Sequence, residues 1–482
     1  MTRLPTRWLV LAVICLAQIT VVLDNTVLNV AIPSLTRELD ASTADVQWMI
    51  NAYSLVQAGL LLSAGSAADR YGRKKLLLAG LALFGSGSAA AGLARSTGEL
   101  IAARAGMGVG GALLVTTTLA VAMQIFDADE RPRAIGVWAA ANALGFAAGP
   151  PIGGLILAHF WWGAIFLVNL PVVLVAALAV LALVPESKNP SGDRPDLPGA
   201  LLSTAGVTAV VYAIISGPDA GWGSGRVLLA ALAGGTALGA FALWERRTPY
   251  PMLDLRFLQD RRFAGAVTGV VLITFGSGGA LFLLTQQLQF VRGYSALEAG
   301  LRTAPFALTI VLLNFTGVCA RLIRRIGLPP AIAVGMALLA GGLTVVATVT
   351  DGGYGVLLLG LVLMGVGCAL ANPAIAEAVM GSIPPERAGA GAGIDGTMSE
   401  LGTSLGVAAL GAVLNSRFTA LAAAASLPAA LAAARTPAAR TAAMDAFAAA
   451  LRTGQLAGAA AILLGGCVTA LLLRLKVSPS GD

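Results

Sequence analysis

Fourteen apolar stretches, each near the length of one bilayer crossing, dominate this sequence. They lie near residues 8–30, 46–66, 76–94, 99–122, 134–157, 162–184, 197–216, 226–244, 263–290, 302–320, 329–349, 354–378, 389–414 and 455–473. A helix needs about 20 apolar residues to cross the hydrocarbon layer. The pattern predicts an all-α polytopic membrane protein with 14 transmembrane helices. Composition agrees: 57% of the 482 residues are hydrophobic and 11% are charged, against about 25% charged in soluble chains. Mean hydropathy is +0.83, and the 59 glycines suit close helix approach in lipid.

The apolar run from about Trp8 to Val30 contains Asp24 and lacks an A-x-A cleavage site, so it reads as a first span rather than a signal peptide. With both termini cytoplasmic, the inside segments hold most of the 31 basic residues, among them Arg70, Arg73, Lys74, Lys75, Arg131, Arg133, Arg261, Arg262, Arg321, Arg324 and Arg325. That bias is what the positive-inside rule requires. The net charge of +7 therefore reports membrane topology, and no nucleic-acid partner is expected. Cys15, Cys319, Cys368 and Cys467 lie far apart in apolar segments, as packing residues rather than a disulfide set or metal site. His159 is the single histidine and no P-loop occurs. A His-based metal or catalytic cluster and direct use of ATP are thereby excluded. Neither a cofactor nor an enzymatic activity is expected.

Two stretches break the rhythm of short loops. Residues 185–196, "PESKNPSGDRPD", form a Pro-rich polar linker. Residues 415–454 are Ala-rich, which favours helix, with Pro428 and Pro437 interrupting. The readings for this outer segment are a short helical hairpin or a flexible loop.

Several motifs have physical consequences. In "GSAADRYGRKK", residues 65–75, Gly65 and Gly72 permit tight turns, while Asp69, Arg70 and Arg73 can form a charge-assisted network at the membrane surface. The plainer reading is a basic loop that sets orientation. In "GVWAAANALGFAAGPPIGG", residues 136–154, Gly145, Gly149, Gly153 and Gly154 bare a helix face beside a kink at Pro150. Close packing alone, or a helix that bends during a conformational cycle, accounts for it.

These residues resemble a known family. Residues 65–75 are similar to motif A of the major facilitator superfamily, with Ala67 in place of the usual Leu. Residues 136–154 resemble its antiporter motif C. "LDNTVLNVAIP" at 23–33, "WMINAYSL" at 48–55, "RAGMGVGGA" at 104–112 and "LQFVRGYSALEAGL" at 288–301 resemble signatures of the fourteen-helix drug:proton antiporter branch. The resemblance implies two six-helix bundles, residues 1–184 and 251–482, with linker and an extra helix pair at 185–250 between them. It also implies conformational gating by Gly65, Asp69, Arg70, Gly72, Arg73, Arg104, Gly145, Gly149, Pro150, Gly153 and Gly154. A degenerate echo of motif A, "GVCARLIRRIG" at 317–327, puts Arg321 where the first half has Asp69, so the strict charge network belongs to the first half.

The thirteenth apolar stretch contains Asp395 and Glu400. Each charged acid at a bilayer centre costs about 2.5–3.5 kcal/mol on insertion scales, so such acids face protein or water and usually act. On a helix the two stand about 7.5 Å apart along the axis and roughly 140° apart around it. They can flank a cavity holding a large cation but cannot chelate one small ion. Their pattern resembles the QacA-type exporters of quaternary ammonium compounds, apart from Gly396, where those carry an additional acid. Asp24 and Glu377 complete the set of proton- or substrate-coupling candidates. Tyr53, Trp138, Phe275 and Phe282 are the aromatics that remain to face a cation.

A carboxylate in a low-dielectric cavity holds a proton more readily than in water, and a bound cation expels it. Competition for one site, with alternating access, then yields antiport. The expected function is proton-coupled export of lipophilic organic cations across a bacterial cytoplasmic membrane, by a monomer. An exporter of one endogenous metabolite or antibiotic is the first alternative. A non-transporting sensor or scaffold is the second.

Overall fold

The computed structural model describes residues 4–127, 130–188, 195–253, 255–348, 353–382, 388–424 and 426–474; residues 189–194 of the Pro-rich linker lie outside them. All regular structure among the described residues is helical. In chain order the helices are α1 (Leu4–Glu38), α2 (Thr43–Tyr71), α3 (Arg73–Gly92), α4 (Thr97–Ile125), α5 (Arg131–His159), α6 (Ala164–Leu167) and α7 (Asn169–Leu183). Then follow α8 (Leu197–Ala220), α9 (Gly225–Glu245), α10 (Arg261–Gln286) with a π-helical turn at Gln287–Val291, α11 (Ala296–Phe315) and α12 (Val318–Ile326). The last five are α13 (Leu328–Thr348), α14 (Tyr354–Gly381), α15 (Ala388–Ala422), α16 (Leu427–Ala433) and α17 (Pro437–Arg474).

Among the described residues, 13 helical segments are long and apolar enough to cross a membrane. The second expected span, α2, is not one of them, although its 29 residues exceed the required length. Gln47, Asn51, Ser54 and Gln57 follow one another at helical spacing, and all are buried. This polar stripe lowers the hydropathy of a helix whose other faces are apolar.

Two compact units divide the chain. The first comprises Met1–Thr208 with Thr285–Ala307, the second Ala209–Leu284 with Leu308–Asp482. In the first unit α1 packs on α5, α2 and α3 pack on α4, and α7 lies against α1 and α3. The N-terminus of α2 is fastened by a reciprocal pair: the Asp45 amide donates to Ser42 Oγ at 3.1 Å, and the Ser42 amide to Asp45 Oδ2 at 2.9 Å. In the second unit α13 packs on both α14 and α17, and α15 on α17. There α9 presents Leu228, Leu229 and Leu232 outward, as a helix bathed by lipid would.

Three sequence boundaries need correction. The tenth span begins at Ala296 rather than near residue 302 and stops at Phe315 rather than near 320. Ser295 and Glu298 bond reciprocally, at 2.9 and 3.2 Å, which starts the helix before the apolar run does. Gly317, at φ +67°, ends it and turns the chain into the separate amphipathic helix α12. The sixth span is divided at Val168 into α6 and α7. The Ala-rich segment is largely continuous with its neighbours: α15 runs on to Ala422 and α17 starts at Pro437. Pro428 and Pro437 stand in the first turns of α16 and α17, where no intrahelical N–H is needed, so they begin helices rather than break one.

Candidate functional site

Asp24, midway along α1, meets Arg104 of α4 in a fully buried ion pair through Oδ2 and Nη1. Asn169 Nδ2, at the start of α7, donates to Asp24 Oδ1 at 3.2 Å and to Ser88 Oγ at 3.0 Å. The Ser88 hydroxyl donates in turn to the Phe166 carbonyl at 2.9 Å. Arg104 Nε donates to the Met49 carbonyl at 3.1 Å, and its guanidinium lies 4.4 Å from the Tyr53 ring centroid. Thus α1, α2, α3, α4, α6 and α7 all contribute to one polar centre in the first unit. Its charge is balanced by a single pair, and Arg104 Nη2 has no hydrogen-bond partner among the described residues.

At one end of α2 the motif A residues form a second cluster. Arg73 donates to Asp69 Oδ1 through Nε at 2.9 Å and Nη2 at 2.7 Å, and through Nη1 to Gln124 at 3.2 Å. Glu186, which follows α7, accepts from the backbone amides of Lys74 and Lys75 at 3.1 and 3.3 Å. A carboxylate thus covers the positive N-terminus of α3. Sequence reasoning missed Glu186, which lies 112 residues from Lys74; its only signal was an acid directly after a spanning helix. Gly72 has φ +122°, and a Cβ there would meet the Glu186 carboxylate at 2.8–3.0 Å. Gly65 makes no turn: it sits inside α2, and a Cβ there would find only Thr116 at 4.0 Å. Alanine at the two positions should therefore act oppositely. Gly72→Ala is expected to destabilise by about 1–3 kcal/mol through backbone strain, and Gly65→Ala to stabilise by about 0.5–1 kcal/mol as an ordinary helix replacement. Thermal unfolding of the purified variants measures both, and equal shifts would contradict the geometry.

The glycines of motif C serve two neighbours. Cβ atoms on Gly145, Gly149 and Gly153 would meet α1 at Val22 (3.2 Å), Thr26 (2.8 Å) and Val27 (2.8 Å). Gly154 faces the start of α11, where a Cβ would lie 2.5 Å from Leu297 Cα and 2.7 Å from the Ala296 carbonyl. Gly300, unremarked in the sequence, faces the backbone of Pro150 in the same junction. Beside it, Gln289 Nε2 donates to the Val30 carbonyl of α1 at 2.9 Å. Pro150 and Pro151 both lie inside α5.

In the second unit a cavity of about 330 Å³ is lined by Val270, Ile273 and Thr274 of α10, Asn372, Pro373, Ile375 and Ala376 of α14, and Asp395 and Ser399 of α15. The Asp395 carboxylate has no hydrogen-bond or ion-pair partner among the described residues. Glu400 is half-buried on α15 and Glu377 is exposed on α14; neither lines this cavity. The four aromatics considered above do not line it either. Tyr53 stacks on Arg104, and Trp138 Nε1 donates to Thr118 at 3.3 Å. In α12, Arg321 turns back onto the Thr316 carbonyl at 3.1 Å. Among the described residues the echo of motif A forms no ion pair.

Long apolar helices with ionisable groups held inside them define a polytopic membrane protein. The family model described as Major Facilitator Superfamily matches residues 14–407, and the chain belongs to that family. It is 37% identical over 393 residues to the multidrug resistance protein Stp of Mycobacterium tuberculosis, covering 81% of this chain and 73% of Stp. It is 35% identical over 421 residues to the methyl viologen resistance protein SmvA of Salmonella typhimurium, covering 86% of this chain and 84% of SmvA. Among solved structures, an inward-facing, unoccupied bacterial homologue of the human lysosomal transporter Spinster shares the fold, with a TM-score of 0.70 at 18% identity over 99% of this chain and 100% of that one.

Proposed function

We propose that this chain is a proton-coupled antiporter that exports lipophilic organic cations across the cytoplasmic membrane of a bacterium. One observation carries the reading: Asp395, an acid on a membrane-spanning helix with no partner among the described residues, lines a cavity whose other described lining residues are apolar or neutral. Such a carboxylate is stabilised either by a proton or by a cation, and the exclusion of one by the other is the coupling. The relatives named for multidrug and methyl viologen resistance support drug export and a cationic cargo.

In this reading α2 completes a set of fourteen spans, with six-helix bundles at 1–184 and 251–482, the linker and extra pair at 185–250, and both termini cytoplasmic. Asp24, balanced by Arg104, takes part in proton coupling. Glu377 and Glu400 are auxiliary acids. Gly65, Asp69, Arg70, Gly72 and Arg73 at the membrane surface, and Gly145, Gly149, Pro150, Gly153 and Gly154 on α5, govern the change of access. The protein works as a monomer.

Exchange of a monovalent cation for one proton moves no net charge, so the pH gradient alone drives it, at about 1.4 kcal/mol per pH unit. Ethidium efflux from proteoliposomes under an imposed pH gradient tests this. Asp395→Asn is expected to reduce efflux at least about tenfold, the equivalent of that same 1.4 kcal/mol. Glu400→Gln is expected to impair export of a bisquaternary compound more than of ethidium. Gradient-independent efflux, or full activity in Asp395→Asn, would overturn the proposal.

A further inference from the structure

We infer that the Asp395 cavity selects protonated amines, cations that carry an N–H, over permanently quaternary ones. The inference rests on the cation-site reading and narrows it. It comes from what lines the cavity besides the carboxylate.

A quaternary ammonium ion has no hydrogen to donate, and proteins recognise it chiefly with the faces of aromatic rings. Among the described residues the lining contains none. It offers hydrogen-bond acceptors instead. Thr274 Oγ1 donates its one hydrogen to the Val270 carbonyl, at 2.8 Å, so only its lone pairs remain for a guest. The ionised Asp395 carboxylate is acceptor-only. Ser399 lies one helical turn beyond Asp395 on the same face of α15, and its hydroxyl has no hydrogen-bond partner among the described residues. Asn372 adds an amide carbonyl from α14.

A tertiary, secondary or primary ammonium can place its N–H on the carboxylate and turn any further N–H to Thr274 or Ser399. Bonds between ionised partners of this kind are short and roughly twice as strong as neutral ones. A quaternary nitrogen holds its charge behind a shell of methyl groups and leaves the same acceptors unpaired. A site built to bond a substrate N–H rejects the analogue that lacks it far more strongly than an apolar pocket rejects an extra methyl. The volume, about 330 Å³, suits a compact ammonium head group with its first carbons.

Calorimetric titration of the purified full-length protein with benzyldimethylamine and benzyltrimethylammonium, at neutral pH where the amine is protonated, tests the inference. The two probes differ by one methyl group on nitrogen. The amine is expected to bind about tenfold more tightly, the contribution of one charge-assisted hydrogen bond. Ser399→Ala and Thr274→Val are each expected to leave that preference in place, since the one N–H of the tertiary amine lies on Asp395, and to weaken benzylamine, whose further N–H groups they accept, by about threefold or more. Equal affinities, or a tighter quaternary ion, with both probes lost in Asp395→Asn, would overturn the selectivity and leave the cation site standing. Binding of both probes undiminished in Asp395→Asn would instead remove the cation-site reading, and the selectivity with it.

Discussion

Arg104→Gln is expected to cost the fold about 3–5 kcal/mol, because it strands the Asp24 carboxylate in a buried site with no compensating charge. Arg104 has no exposed surface and Asp24 is 2% exposed, so water cannot take over the solvation. Asp24→Asn should be destabilising in the same way, leaving the buried guanidinium, among the described residues, with neutral partners alone: the Met49 carbonyl, two aromatic faces and the introduced amide. The double variant Asp24→Asn/Arg104→Gln removes both charges and should recover most of the lost stability, since a matched neutral pair avoids the uncompensated charge. Unfolded fraction against denaturing detergent measures all three. If Asp24 takes part in proton coupling as proposed, the folded double variant still fails to concentrate any substrate under an imposed pH gradient. Near-wild-type stability of both single variants would show that the pair does not anchor the polar centre.

Alanine at Gly154 or at Gly300 should reduce transport about 5- to 150-fold, the range that a 1–3 kcal/mol shift in a two-state equilibrium produces. The added Cβ meets backbone atoms at both positions: Leu297 Cα and the Ala296 carbonyl in one case, the Pro150 backbone in the other. A side chain can rotate away; backbone cannot, and overpacking of this kind costs about 1–3 kcal/mol. The penalty falls on whichever state of the cycle joins α5 to the start of α11. Cation binding in the Asp395 cavity, in the other unit, should persist. Gly136→Ala is the matched control, because nothing lies within 4 Å of its Cβ position. Loss of binding and transport together would mean that the substitutions damage the fold rather than the contact between α5 and α11.

Glycine spacing in residues 136–154 announced a bare helix face, yet not that Gly145, Gly149 and Gly153 face α1 while Gly154 faces α11. That division depends on which helices arrive beside α5, one of them more than 130 residues later in the chain. Gly65 and Gly72 looked alike in sequence, and only one of them stands at a turn. Asp24 and Arg104 were both legible as unusual residues inside apolar stretches. Their partnership spans 80 residues and needed the packing of α1 on α4.

What this sequence determined alone is what lipid enforces locally. Hydrocarbon leaves a backbone no partner but its own helix, so apolar length writes the spans, and loop charge points to their orientation. The same hydrocarbon makes every intramembrane acid conspicuous, which is how Asp24 and Asp395 could be singled out by position. Tertiary structure decided what surrounds each of them. Arg104 and Asn169 close around Asp24, whereas Thr274, Asn372 and Ser399 join Asp395 around an open space. The hydrophobic effect does not bring helices together in lipid; shape and polar pairing do, and those are properties of two surfaces, which no single stretch of chain contains.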